Sequence, residues 1–264
     1  MNTITKTALG CLGAGGAWCL MLRPRRNQPG WEKLENVRYA HRGLHDASRG
    51  RPENSMAAFR AAAERGFGAE LDVHLMADGR LAVVHDSDLT RVCGKKVFIE
   101  DLTAEDLKDC PLQGTEETIP LLEDVLSLFE GGAPLVVELK AERGNAAALT
   151  DAAMALLRSW NGTYCVESFH PGVIRGQLSQ NFLRGGEVGG LSLPARFALT
   201  NLLATGLTRP DFIAYNWRDR GNISLRLMKK LYGVHEVAWT VRDKETMGRL
   251  EAEGIPVIFE KYVP

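Results

Sequence analysis

From Val37 onward the chain alternates short runs of β-branched and aliphatic residues with stretches whose apolar positions recur at helical spacing. The short runs predict strands at Val37–Ala40, Ala69–Leu75, Leu81–His85, Leu135–Leu139, Tyr164–Ser168, Arg184–Val188, Phe212–Tyr215, Glu236–Val241 and Pro256–Phe259. The helical spacing predicts Ser55–Arg65, Thr103–Lys108, Leu121–Phe129, Ala146–Trp160, Val173–Gln180, Ser224–Tyr232 and Lys244–Glu253. Ser55 offers an N-cap hydroxyl, and Gly66 stands where the first of these helices must stop. Strands that alternate with helices imply parallel pairing through crossovers. Body length and strand number favour a (β/α)8 TIM barrel over an open doubly wound sheet. Leu81–His85 then forms a small hairpin insertion after strand 2, turned by Ala77-Asp78-Gly79-Arg80.

One strand breaks the apolar rule. Residues two apart on a strand share a face, so Glu70 and Asp72 project together where a core strand would bury hydrocarbon. Paired inward carboxylates repel each other and are costly to desolvate unless a cation lies between them. Polar groups recur at other strand ends: His41 and Arg42 after strand 1, His85-Asp86 after the hairpin, Glu138 and Lys140 on strand Leu135–Leu139 and just beyond. In a barrel of this kind such positions are catalytic far more often than structural. Three carboxylates without a nearby cysteine favour Mg²⁺ or Ca²⁺ over zinc. Arg42 and Lys140 supply fixed positive charge suited to a phosphate. Two histidines flanking it can divide proton acceptance and donation.

Composition narrows the alternatives. The 264 residues carry a net charge of −1 with 45% hydrophobic content, which gives no electrostatic case for nucleic-acid binding. No glycine-rich nucleotide loop opens a helix. The five cysteines show no close pair or metal-knuckle spacing, and a reducing compartment is the simpler reading. Residues 1–30 differ from the body. Thr7 to Leu22 is apolar or small throughout and is followed by Arg23-Pro24-Arg25-Arg26. A signal peptide would carry its positive charge before the apolar run. The favoured reading over a signal peptide or a buried or disordered tail is a membrane anchor through residues 7–22. It would hold a catalytic barrel of residues 31–264 on the cytoplasmic side, with a plain cytoplasmic protein as the alternative.

The same residues carry a family resemblance. His41-Arg42-Gly43, Pro52-Glu53-Asn54-Ser55, Glu70-Leu-Asp-Val-His-Leu-Met-Ala-Asp-Gly and Val84-His85-Asp86 come first. Leu89-Thr90-Arg91, Ile119-Pro120, Glu138-Leu139-Lys140, Ser168-Phe169 and Trp239-Thr240-Val241 follow in order. Together they resemble the glycerophosphodiester phosphodiesterase family. The resemblance implies a phosphoric diester hydrolase that uses one divalent cation, Mg²⁺ or Ca²⁺. It implies His41 and His85 as the acid–base pair, Arg42 and Lys140 as phosphate contacts, and Glu70, Asp72 and Glu138 as metal ligands. It also implies that the glycerol 2-hydroxyl attacks phosphorus, giving a cyclic phosphate that water opens. The final strand departs from the family pattern, reading Ile258-Phe259-Glu260-Lys261-Tyr262 where a Thr-Asp pair is usual.

Lesser candidates have bland readings. Glu53 and Asn54 brace the first loop or contact the site, and Trp217 and Trp239 line the substrate mouth or simply pack. His74, His45 and His170 are weaker candidates as ligands, and the Arg218-Asp-Arg220 charges read as a solvated loop. The expected substrate is a soluble glycerophosphodiester. The alternative is a lysolipid, motivated by the apolar segment beginning at Leu191, and a remote one is an inactive membrane-tethered binding module.

Overall fold

A computed structural model describes residues 15–25, 30–167, 174–184 and 191–264. Its strands are β1 (Arg38–His41), β2 (Gly68–Leu75), β3 (Leu81–Val83), β4 (Leu135–Leu139), β5 (Tyr164–Glu167), β6 (Gly176–Ser179), β7 (Phe212–Asn216), β8 (His235–Val241) and β9 (Val257–Phe259). Eight of them follow one parallel path, β5-β4-β2-β1-β9-β8-β7-β6, and β3 returns antiparallel on β2. A parallel bridge from Val166 to Arg175, with Val166 N–H donating to Ile174 O at 3.0 Å, joins β5 to the start of β6. The sheet therefore closes into the (β/α)8 barrel.

The helix expected at Val173–Gln180 is instead β6, whose Gly176 abuts the Phe212 ring on β7. A short apolar run cannot be assigned by periodicity alone, and pairing with β7 decided it. The last four residues of the strand expected at Arg184–Val188, like Ser168-Phe169 and His170, lie outside the described residues.

Alternation along the strands sorts the core. Ala69, Leu71 and Val73 of β2 face outward and pack with Phe59, Leu122, Leu135 and Val137 under the helices. The opposite face lines the barrel, where Tyr39, Val136, Cys165, Phe212, Val237 and Ile258 fill the lower interior over Trp31 and Leu34. Two residues further along β1, β4 and β5, the inward positions become His41, Glu138 and Glu167. Apolar filling below and charge above thus follow from the period of two.

Helix Met56–Ala63 starts as expected, with Ser55 Oγ accepting from Ala58 N–H at 3.1 Å. The insertion after β2 is larger than a hairpin and has its own small core of Met76, Val84, Leu89, Ile99, Leu107 and Ile119. At the other extreme of the chain, residues 15–21 are helical and lie against the barrel. Trp18 Nε1 donates to Ser224 Oγ at 3.2 Å, and Leu22 is buried among Ile213, Tyr215, Leu225 and Met228. No helix of the described residues is long and apolar enough to cross a membrane, and residues 7–14 of the expected anchor lie outside them. The described part of that segment is docked on protein.

Candidate active site

The acidic cluster is built by neighbouring strands in register. β1 pairs His41 with Glu70, and β2 pairs Asp72 with Glu138 on β4. One oxygen each from Glu70, Asp72 and Glu138 lies within 4.8 Å of the others. Glu70 and Asp72 are almost wholly buried. Burial raises the Glu70 carboxyl well above its usual range, and the neighbouring Asp72 and Glu138 charges push it the same way. Burial also opposes ionisation of Asp72, but Lys140 and Arg42 outweigh it and hold that carboxyl well below the usual range.

Two cations serve this cluster. Lys140 Nζ lies 2.6 Å from Glu138 Oε1 and 3.0 Å from Asp72 Oδ1. Arg42 Nε is 3.4 Å from Asp72 Oδ2, and the Arg42 backbone N–H donates to Glu70 Oε2 at 3.1 Å. Arg42 adopts φ 54°, which turns its amide back toward β2. Asn54, also at positive φ, donates Nδ2–H to Asp72 Oδ2 at 2.9 Å. Glu53 accepts from Arg42 Nη1 at 2.9 Å and from Arg91 Nη2 at 2.6 Å. Both residues of the first loop therefore brace the site.

Each expected catalytic ring has a carboxylate behind it. His41 Nδ1 lies 2.7 Å from Glu260 Oε2, and His85 Nδ1 lies 2.7 Å from Asp86 Oδ1. Nδ1–H donation to a carboxylate leaves Nε2 as the working nitrogen. Burial lowers the basicity of His41, with the Glu260 hydrogen bond opposing. Glu260 is held far below the usual carboxylate range despite its burial, because His41, His45 and Arg242 surround it. The sequence marks Glu260 only as a departure from the family pattern and Asp86 only as a strand-end acid, without linking either to its histidine.

The rings open on a cavity of about 450 Å³, shared by His41, Arg42, Glu70, His85, Glu138 and Lys140. Glu167 from β5 also lines it, its carboxyl pushed up to about 8 by burial and by Glu138. An inward position one strand beyond Glu138 was the available signal for Glu167. Trp239 lines the cavity; Trp217 does not, and packs against the outer core with Arg218 stacked over its ring. His74 is turned toward Glu100 Oε1 (2.7 Å) and His85 O (3.2 Å), which fixes the insertion instead of serving the acidic cluster. His45 Nε2 stands 3.8 Å from Glu260, behind His41.

The donor set fits a hard cation. Fully ionised, Glu70, Asp72, Glu138 and Glu167 would outnumber the two cations beside them, and the raised carboxyls of Glu70 and Glu167 reflect how costly that excess is to bury without a further cation. Asp72 Oδ1 and Asn54 Oδ1 have no partner in hydrogen-bond geometry, although Lys140 is close to the first. All the donors are oxygen, which suits Mg²⁺ or Ca²⁺ better than zinc.

The chain is similar to known proteins. The model of the glycerophosphoryl diester phosphodiesterase family matches residues 41–175, just over half of the chain. A glycerophosphodiester phosphodiesterase of Bacillus altitudinis is 42% identical over 109 residues, covering 39% of this chain and 43% of that one. A glycerophosphodiester phosphodiesterase of Caldanaerobacter subterraneus subsp. tengcongensis is 30% identical over 239 residues, 84% of this chain and 92% of that one. The match to the first relative thus spans less than half of its length, and the match to the second nearly all. The fold is shared with an Oleispira antarctica phosphodiesterase solved with its product sn-glycerol-3-phosphate, at TM-score 0.65 and 19% identity over 87% of this chain and 94% of that one. The chain belongs to the glycerophosphoryl diester phosphodiesterase family.

Proposed function

We propose that this chain is a phosphoric diester hydrolase that cleaves glycerophosphodiesters to glycerol 3-phosphate and an alcohol. Family membership supports the reaction class. One observation carries the residue roles: a single cavity holds an all-oxygen acidic cluster, two cationic side chains and two imidazoles backed by carboxylates. That inventory suits attack by a substrate hydroxyl on phosphorus.

In this reading Arg42 and Lys140 bind the phosphate oxygens and offset the charge that spreads over them. His41, its basicity lowered by burial, removes the proton of the glycerol 2-hydroxyl through Nε2 as that oxygen bonds to phosphorus. His85, held by Asp86, gives a proton to the departing alcohol oxygen. Water then opens the cyclic phosphate with the two rings exchanging roles. Glu70, Asp72 and Glu138 would hold one Mg²⁺ or Ca²⁺, which when bound supplies further positive charge beside the phosphate.

The test is release of glycerol 3-phosphate from glycerophosphocholine by the full chain. His41→Ala and His85→Ala should each lower turnover by about 10²- to 10⁴-fold. Turnover surviving either substitution would remove that ring from the acid–base pair. A second reading, a lysophospholipid substrate, is favoured by Leu178 and Phe182, which put apolar surface inside the same cavity. Comparing lysophosphatidylcholine with glycerophosphocholine decides it.

A further inference from the structure

We propose that the barrel rim around helix Leu193–Thr200 is a docking surface for an anionic lipid bilayer, lying in its interface without crossing it. The rim residues Leu183, Leu193, Phe197 and Ile223 are 45%, 69%, 54% and 60% exposed. Leu193 and Phe197 are four apart on one helix and share a face. Phe197, Leu183, Ile223 and Trp18 line one groove of about 500 Å³. Large apolar side chains gathered in this way mark an interaction site, where singly scattered ones do not.

The surface is continuous with the catalytic mouth. Leu183 follows β6 and Ile223 follows the loop after β7, so both stand at the C-terminal ends of strands, as His41 and Glu138 do. Phe182, which lines the catalytic cavity, ties the rim helix down on both sides of its peptide group. Its N–H donates to Thr200 Oγ1 at 3.0 Å, and its carbonyl accepts from Arg196 Nε at 2.8 Å. Ser179 Oγ donates to Leu199 O at 2.9 Å. The apolar face is therefore rigidly mounted beside the entrance.

Charge and chain direction favour a lipid surface as the occupant. Arg184 and Arg218 are exposed in the groove and Arg196 is half-buried on the rim helix, against Asp219 as the groove's one carboxylate among the described residues. Apolar side chains interleaved with arginines are the composition of interfacial anchors on anionic membranes. Trp18 meets Ser224 at the mouth end of the barrel, while Arg25 pairs with Asp211 just before β7, at the opposite end. The segment 15–25 thus descends from the rim, with Trp18 itself lining the groove.

The experiment is flotation of the full chain with phosphatidylcholine vesicles, with and without phosphatidylglycerol, at low and high salt. Wild type should float with the anionic vesicles and lose binding as salt screens the arginines. The double substitution Leu193→Glu with Phe197→Glu should weaken that binding by about tenfold or more. Glycerophosphocholine turnover and the melting temperature should stay at wild-type values, which separates this inference from the proposed chemistry. Wild type that fails to float, or a double variant that floats as well as wild type, overturns the proposal. So does a wild-type dimer that the same substitutions convert to monomer without any vesicle binding, since the face would then join two copies of the chain.

Discussion

Glu260, from the end of the last strand, holds its Oε2 2.7 Å from Nδ1 of His41, at the end of the first. The hydrogen bond crosses the β1–β9 seam of the barrel and fixes which ring nitrogen faces the cavity. Arg242 Nε donates to the other carboxylate oxygen at 2.6 Å, so Glu260 is itself held in place. Glu260 is therefore a positioning residue. Glu260→Gln should lower kcat by about 10- to 100-fold while leaving KM nearly unchanged. Glu260→Asp should recover part of the loss. Equal losses with Gln and Asp would point to a general structural defect instead.

Chelation should abolish turnover. EDTA removes the ion that Glu70, Asp72 and Glu138 would share, and added Mg²⁺ or Ca²⁺ should restore activity. Glu138→Gln should raise the cation concentration needed for half-maximal activity. Rescue by zinc alone would contradict the all-oxygen donor argument.

Gly68 should tolerate no side chain. A Cβ there would sit 2.5 Å from Pro134 O and 2.7 Å from the Tyr39 ring. The carbonyl belongs to the backbone leading into β4, and Tyr39 is pinned by its hydroxyl donating to Leu34 O at 2.8 Å, so neither can yield cheaply. Gly68→Ala should lower unfolding stability by about 1–3 kcal/mol. A urea titration checks this, and an unchanged midpoint would mean the strands can part there.

Acid should weaken the base of the barrel through His235. Its ring stacks on Trp31 with centroids 4.3 Å apart, and burial lowers its pKa from the ordinary 6.5, with Glu35 opposing. A folded-state value below the unfolded one means the native protein binds fewer protons. The stabilisation is then full above pH 6.5 and is lost as pH falls through the lowered value. Melting temperature followed downward from neutral pH should decline less steeply in His235→Gln than in wild type. The ring is partly exposed, so the difference is small.

Much of this could be read in the sequence because barrel strands obey a strict alternation. Glu70, Asp72, His41, Glu138 and Lys140 stand out as polar residues at inward or strand-end positions, and the structure gathers all five. The cap at Ser55 and the stop at Gly66 were likewise local, each satisfied within one turn of chain. The partners of the histidines were not legible. The sequence places Glu260 and Asp86 at strand ends, but only β1–β9 closure and the turn after β3 give them their rings.

Sequence alone determined the strand–helix alternation, the family and the chemical inventory of the site, since these depend on residue type and spacing along one chain. Tertiary structure decided that Gly176–Ser179 is a strand, because pairing with β7 outweighs a helical pattern over so few residues. It also decided that residues 15–22 lie on the barrel, with Leu22 buried beneath Leu202 and Met228. An apolar segment has the same sequence signature whether lipid or protein covers it, because burial is non-directional and registers only removal from water. The surface that covers it is set by residues nearly two hundred positions away.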